Sequence, residues 1–158
     1  MPILETRLQQ WPDEAACAAA AEALARHAGL GDAFIELHGP LGAGKTTFVR
    51  HLLHALGVEG RVKSPTYTVL EPYEVLIRGT TSAASHFDFY RFDDPQEWED
   101  AGFRDVFAAP GLKVAEWPEK AEGLLPEADL QIHIDPLAGD ARRARFVACT
   151  PLGVSLLA

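Results

Sequence analysis

Residues 39–46 read GPLGAGKT, two glycines separated by four residues and followed by lysine and threonine. This spacing points to polyphosphate chemistry. Glycine lets the main chain turn its N–H groups inward onto phosphate oxygens, and the start of the next helix adds its positive dipole end to the same anion. Gly39, Leu41, Gly42, Ala43 and Gly44 are therefore candidate main-chain contacts. Lys45 would reach the outer phosphates, the Thr46 hydroxyl would ligate magnesium, and Thr47 would contact an inner phosphate oxygen. The residue types indicate a nucleoside triphosphate bound with Mg2+, because such loops grip a polyphosphate and leave the choice of base to other segments.

A loop of this kind needs a carboxylate at the end of a neighbouring strand to hold the metal or its waters. Two candidates are present. Asp88 lies in HFDFYRF, and Glu116 ends LKVAE, which has the stronger apolar lead-in of a buried strand. If both face the phosphates, one holds magnesium while the other positions or deprotonates the attacking water. Asp88, Glu116 and Lys45 are thus the candidate catalytic residues, with Thr46, Asp88 and Glu116 as metal ligands. Thr66, on the proline-stiffened KSPTYT segment, is the candidate sensor of the terminal phosphate, with turn chemistry that needs no ligand as an equal alternative. Trp117 either packs under the nucleotide or fills core. His51 and His54 have no third ligand in view and read as packed or exposed. For His86 a bond to backbone is the expected arrangement, with a place lining the site as the alternative.

The elements around these residues follow from periodicity. ILETRLQQW alternates like an edge strand, and PDEAACAAAAEALARHAG reads as a helix with acids in its first turn and Gly29 as its stop. AFIELH is a short buried strand. KTTFVRHLLHALG is a helix with one apolar face and Gly57 as its stop, so the glycine loop joins a strand to a helix. Two short strand-like runs follow in VEGRVKSPTYTVLEPYEVLI. RGTTSAAS reads as a mobile small-residue connector, HFDFYRF as a strand, DPQEWEDAGF as a short acidic helix with a solvated face, GLKVAEW as a strand and PEKAEGLL as a helical turn or two. The tail from DLQIHI to GVSLL reads as an antiparallel hairpin joined by PLAGDARR. Alternating strands and helices predict an α/β three-layer sandwich of the P-loop NTPase-like kind, with a mixed central sheet closed by that hairpin.

At 158 residues and 47% hydrophobic content, the chain suits one globular domain over residues 1–158. Its start lacks the basic, apolar and small-residue succession of a secretory signal, and no stretch is long and apolar enough for a membrane helix. Cys17 and Cys149 form neither a metal spacing nor a disulfide framework, so the expected location is a reducing cytoplasm with no membrane partner. A net charge of -9 argues against unaided binding to a polyanion.

With these pieces in order the chain resembles the TsaE family, bacterial ATPases required for making threonylcarbamoyladenosine in tRNA. GPLGAGKTT, SPTYTVLEPYE, HFDFYRF and EWPE carry the resemblance, in that order, from Gly39 to Glu119. It implies binding of ATP and Mg2+ and two protein partners, TsaD and TsaB, with tRNA reached only through that complex. It implies hydrolysis that is weak alone and stimulated in the assembly, where it resets the complex between turnovers. By position it makes Lys45, Thr46 and Thr47 the phosphate and magnesium residues, Asp88 the Walker B-like acid, Glu116 the second acid, Trp117 its companion, and Thr66 part of a switch-like segment. Family members often carry a threonine on the base side of the first helix, where this chain has alanines and Cys17. Two other functions fit a phosphate loop: a small-metabolite kinase, and a binding module that nucleotide merely orders. A kinase usually needs a lid and several arginines, and here Arg142, Arg143 and Arg145 cluster in the tail hairpin; for an ATPase, Arg91 just after the Asp88 strand is the only nearby candidate for an internal arginine finger. No Asn-Lys-x-Asp segment reads guanine.

Overall fold

The computed structural model describes residues 2–62, 65 and 69–158. In chain order these form β1 (Glu5–Trp11), α1 (Glu14–Ala25), β2 (Phe34–His38), α2 (Lys45–Ala55), β3 (Leu70–Ile77), β4 (Thr80–Asp88), α3 (Pro95–Asp100), α4 (Phe103–Ala108), β5 (Leu112–Glu116), β6 (Leu130–Pro136), β7 (Arg142–Ala148) and α5 (Pro151–Ser155). The strands make one sheet in the order β1-β7-β6-β2-β5-β4-β3. β6, β2, β5 and β4 run parallel, and antiparallel pairing adds β7 and β1 at one side and β3 at the other. The sheet is mixed, as the sequence predicts.

β5 is buried along its whole length, which is why LKVAE reads as a nearly unbroken apolar run. Helices cover the sheet on both faces. On one, α1 packs against α2, and Leu24, Phe48, Leu52 and Leu53 meet Ile35 and Leu37 of β2. On the other, Phe87, Phe89, Trp98, Phe103 and Phe107 close an aromatic cluster, with the Phe87 and Phe107 rings stacked at 4.7 Å. Each buried aromatic or Leu contributes about 1.5–3 kcal/mol of apolar transfer, and a ring pair adds about 0.5–1.5 kcal/mol. The result is the three-layer sandwich, whose parallel strands all end on one edge at His38, Asp88, Glu116 and Pro136. Ligands of such sheets bind outside that edge.

Four expectations change. RGTTSAAS is not a connector: Thr80–Ser85 belong to β4, and Arg78 and Gly79 form a two-residue hairpin turn at φ 50° and 81°. Positive φ at both central residues matches the twist of the flanking strands, and pairing with β3 on one side and β5 on the other makes a strand of residues with weak intrinsic preference. The short acidic helix is α3, with its acids outward and Trp98 inward, and beyond a break at Gly102 (φ 70°) a second helix, α4, follows that the sequence reading left out. α1 stops at Arg26 rather than Gly29, which instead lies in a 3-10 turn where a Cβ would meet Leu152 Cδ1 at 2.8 Å. The final PLGVSLL leaves the hairpin and forms α5, started by the Thr150 Oγ1 cap that accepts from Gly153 N at 3.1 Å and by Pro151 in the first turn. Among the described residues no helix is long and apolar enough to cross a membrane.

Candidate functional site

The glycine loop leaves β2 at His38 and enters α2 at Lys45. Gly39, Gly42 and Gly44 take φ of 148°, 80° and 104°, conformations that side chains resist. A Cβ on Gly39 would lie 2.4 Å from the Ile134 carbonyl oxygen, so close approach of β6 also demands glycine there. Ala43 N donates to Pro40 O at 3.1 Å, tightening the loop. Gly44 caps α2 without any side-chain hydrogen bond, leaving the positive end of an eleven-residue helix turned toward the loop. This is the arrangement that takes an anion.

Lys45 is buried, and its Nζ donates to Gly39 O at 2.6 Å while lying 3.3 Å from the Trp117 ring centroid. Burial lowers its pKa from the ordinary value, against the opposing pull of Glu116, Glu119 and Asp88. Trp117 holds this position with a left-handed backbone, φ 56°, a strained choice for a residue with a side chain. Its ring also meets Tyr90 at 5.0 Å between centroids.

Register brings the two acids together, Asp88 of β4 opposite Glu116 of β5. Glu116 is 2% exposed. Its Oε1 accepts from Thr46 Oγ1 at 2.8 Å and its Oε2 faces His86 Nε2 at 2.7 Å. Asp88 Oδ1 accepts from Tyr90 N at 3.0 Å, which turns the chain away after β4. Leu41, Gly42, Gly44, Lys45, Thr46, Thr47, Asp88, Glu116 and Trp117 all line one cavity of about 380 Å³. Ala43, Gly44 and Thr47 line a second of about 230 Å³, beside Cys17 and Asp13 of the α1 start. Cys17 thus stands beside the loop, its thiol pushed up to about 11 by burial first and then by Glu14. Thr66 lies outside the described residues.

Thr46, Asp88 and Glu116 offer the hard oxygen donors that magnesium takes. No group of three His, Cys, Asp or Glu among the described residues is placed to hold a metal alone, so phosphate oxygens and water would complete such a shell.

Two residues stand closer to the site than sequence reasoning put them. His86 is bonded to Glu116 and not to backbone. Arg142, and not the exposed Arg91, is the arginine lining both cavities; its Nε donates to Ala43 O at 2.8 Å. The signal for Arg142 was topological: β6 runs parallel to β2, so its hairpin turns at the loop edge and β7 begins there. Half-buried His51 and exposed His54 face Glu14 and the Gly60 carbonyl respectively.

A strand, a glycine loop and a helix in succession, at the carboxyl edge of a sheet with helices on both faces, make the chain a P-loop NTPase-like protein. The family model described as "Threonylcarbamoyl adenosine biosynthesis protein TsaE" matches residues 11–144, and the chain belongs to that family. It is 44% identical over 123 residues to the tRNA threonylcarbamoyladenosine biosynthesis protein TsaE of Haemophilus influenzae, across 78% of this chain and 75% of that one. To the protein of the same name from Bacillus subtilis it is 37% identical over 114 residues, across 72% and 68%. The crystal structure of Bacillus subtilis YdiB matches with a TM-score of 0.78 and 25% identity, covering 99% of this chain and 95% of that chain.

Proposed function

We propose that the chain is a single-domain cytoplasmic ATPase that binds ATP with Mg2+ and serves tRNA threonylcarbamoyladenosine biosynthesis, its hydrolysis driving or resetting a complex of TsaD and TsaB. The observation that carries this reading is the meeting of Lys45, Thr46 and Glu116 at the uncapped start of α2. The membership of the family supports the pathway.

In this reading the loop N–H groups and the first turn of α2 take the phosphate oxygens. Lys45 exchanges the Gly39 carbonyl for the outer phosphates, and the Trp117 ring keeps its ammonium aimed inward. Thr46 and Asp88 would hold magnesium, which would supply positive charge to offset the negative charge that develops on the phosphate oxygens. Glu116, shielded from solvent, orients the attacking water and takes its proton. Thr66 senses the terminal phosphate. Arg142 is committed to Ala43 O through Nε and braces the loop, so stimulation by a partner supplies the remaining transition-state charge.

The test is a pair of variants read for binding and for turnover. Lys45→Ala should lose at least about 10-fold in ATP affinity, the scale of one charge-assisted contact. Glu116→Gln should bind a fluorescent ATP analogue as the parent does, while phosphate release falls by about 100-fold or more. Unchanged turnover in Glu116→Gln removes it from the catalytic set.

A further inference from the structure

Of the buried polar groups among the described residues that the phosphate chemistry above leaves unused, His86, Lys113 and Glu36, His86 is the most deeply buried. It lies on β4 two residues before Asp88, hence on the same face of the sheet, while Phe87 between them points into the aromatic cluster. Val114 and Glu116 are the β5 partners of His86 and Asp88. The imidazole therefore sits one pleat beneath the two acids and reaches across to Glu116 Oε2 at 2.7 Å. Its side chain is 1% exposed and that of Glu116 3%.

The tautomer follows from what surrounds the ring. Nδ1 is buried and has no hydrogen-bond partner among the described residues. A proton there would be a buried donor without an acceptor, so the proton belongs on Nε2, where Glu116 accepts it. The carboxylate is then fixed from two sides, by Thr46 Oγ1 on Oε1 and by His86 on Oε2. These two donors differ in one respect. Thr46 belongs to the nucleotide loop, whereas His86 is built into the sheet.

We propose that His86 is the positioning residue of the site: it holds the Glu116 carboxylate in place from beneath, independently of the nucleotide loop, so that the carboxylate faces the water it activates. The inference rests on the ATPase reading. His86 touches neither nucleotide nor water in this account and acts only through Glu116. Release of the carboxylate would let it swing about its side-chain torsions, and displacement of a reacting group by about 1 Å costs up to about 100-fold in rate.

The experiment compares His86→Leu, His86→Gln and Glu116→Gln, singly and with His86→Leu combined with Glu116→Gln, in the full-length protein. Phosphate release from Mg-ATP gives kcat and KM. Binding of a fluorescent ATP analogue in EDTA and the melting temperature are read without metal. His86→Leu should lower kcat by about 10- to 100-fold, with KM and metal-free binding within about 2-fold of the parent. His86→Gln, whose amide can donate to the same oxygen, should recover most of that loss. In the Glu116→Gln background the leucine should cost less than about 2-fold, because the group it acts through is already gone. Long-range 1H–15N spectra of the parent should show His86 protonated at Nε2 and bare at Nδ1. Equal losses in both backgrounds, failure of glutamine to rescue, or an Nδ1-protonated ring would overturn the proposal. If Lys45→Ala-sensitive phosphate release is absent in the parent, the ATPase reading fails by itself. The ring spectrum still decides whether the tether exists, including if His86→Leu does not fold.

Discussion

Replacing Gly39 with alanine probes the closest approach in the phosphate loop. An added Cβ would sit 2.4 Å from Ile134 O and 3.2 Å from Ala43 Cβ, on a backbone with φ of 148°. Carbon and a carbonyl oxygen settle at about 3.3–3.6 Å, so about 1 Å of clearance has to come from moving β2 away from β6. Both strands belong to the parallel centre of the sheet and cannot part without loosening their pairing. A left-handed backbone costs a side-chain-bearing residue about 1–2 kcal/mol, and an extra methyl forced into packed surroundings costs about 1–3 kcal/mol. Gly39→Ala should therefore destabilise by about 2–5 kcal/mol, a large share of the usual 5–15 kcal/mol. Gly42→Ala is the control: φ is 80° but a Cβ there meets nothing within 4 Å, so only the backbone cost of about 1–2 kcal/mol applies. Urea unfolding, read as the change in midpoint at constant slope, separates them. Equal losses in the two variants would refute the argument that the Ile134 contact, and not φ alone, makes Gly39 a glycine.

Two further outcomes follow from named contacts. Arg142→Ala removes the tie from β7 to Ala43 O, a charge-assisted bond worth about 1.5–3 kcal/mol, and should weaken ATP binding by about 10-fold; Arg142→Lys should not restore it, because lysine lacks the fork that reaches the carbonyl and the cavities together. The second concerns acid. His133 is pushed down from 6.5 to about 4, by burial first and then by His38 and Arg145, with Asp135 opposing. Its ring is stacked on His38 at 4.4 Å. Below 6.5 the unfolded chain takes up this proton and the folded chain does not, so stability is full above that pH and falls as pH drops toward 4. The shift sets a ceiling of about 3 kcal/mol, which solvent access reduces to about 1–2 kcal/mol. His133→Gln should flatten this limb in urea titrations between pH 7 and 4, and an unchanged slope would exclude His133 as its source.

The parts of the site that could be read from sequence were those fixed by local geometry. GPLGAGKT announces itself because left-handed turns and an anion-facing helix start require those residue types in immediate succession. Glu116 was visible because a central strand is apolar along its length and ends where the sheet ends. The start of α1 was equally local: Asp13 caps it, accepting from Ala16 N at 3.0 Å. What the sequence hid depends on neighbours distant in the chain. TTSAAS has little intrinsic preference for a strand and becomes one through β3 and β5 on either side. Arg142 is remote from the loop in sequence and meets Ala43 only because the hairpin turns at the loop edge. His86 carries no pattern that distinguishes a backbone-bonded ring from one aimed at the next strand; the register of β4 against β5 decides it.

The central claim, that this site hydrolyses ATP to drive a partner complex, is tested most directly by phosphate release from Mg-ATP with the purified protein alone and with TsaD and TsaB, using Lys45→Ala as the blank. The account predicts slow release alone and strong stimulation by the partners, both abolished in the blank. Release that stays low with the partners present, or that survives Lys45→Ala, would contradict it.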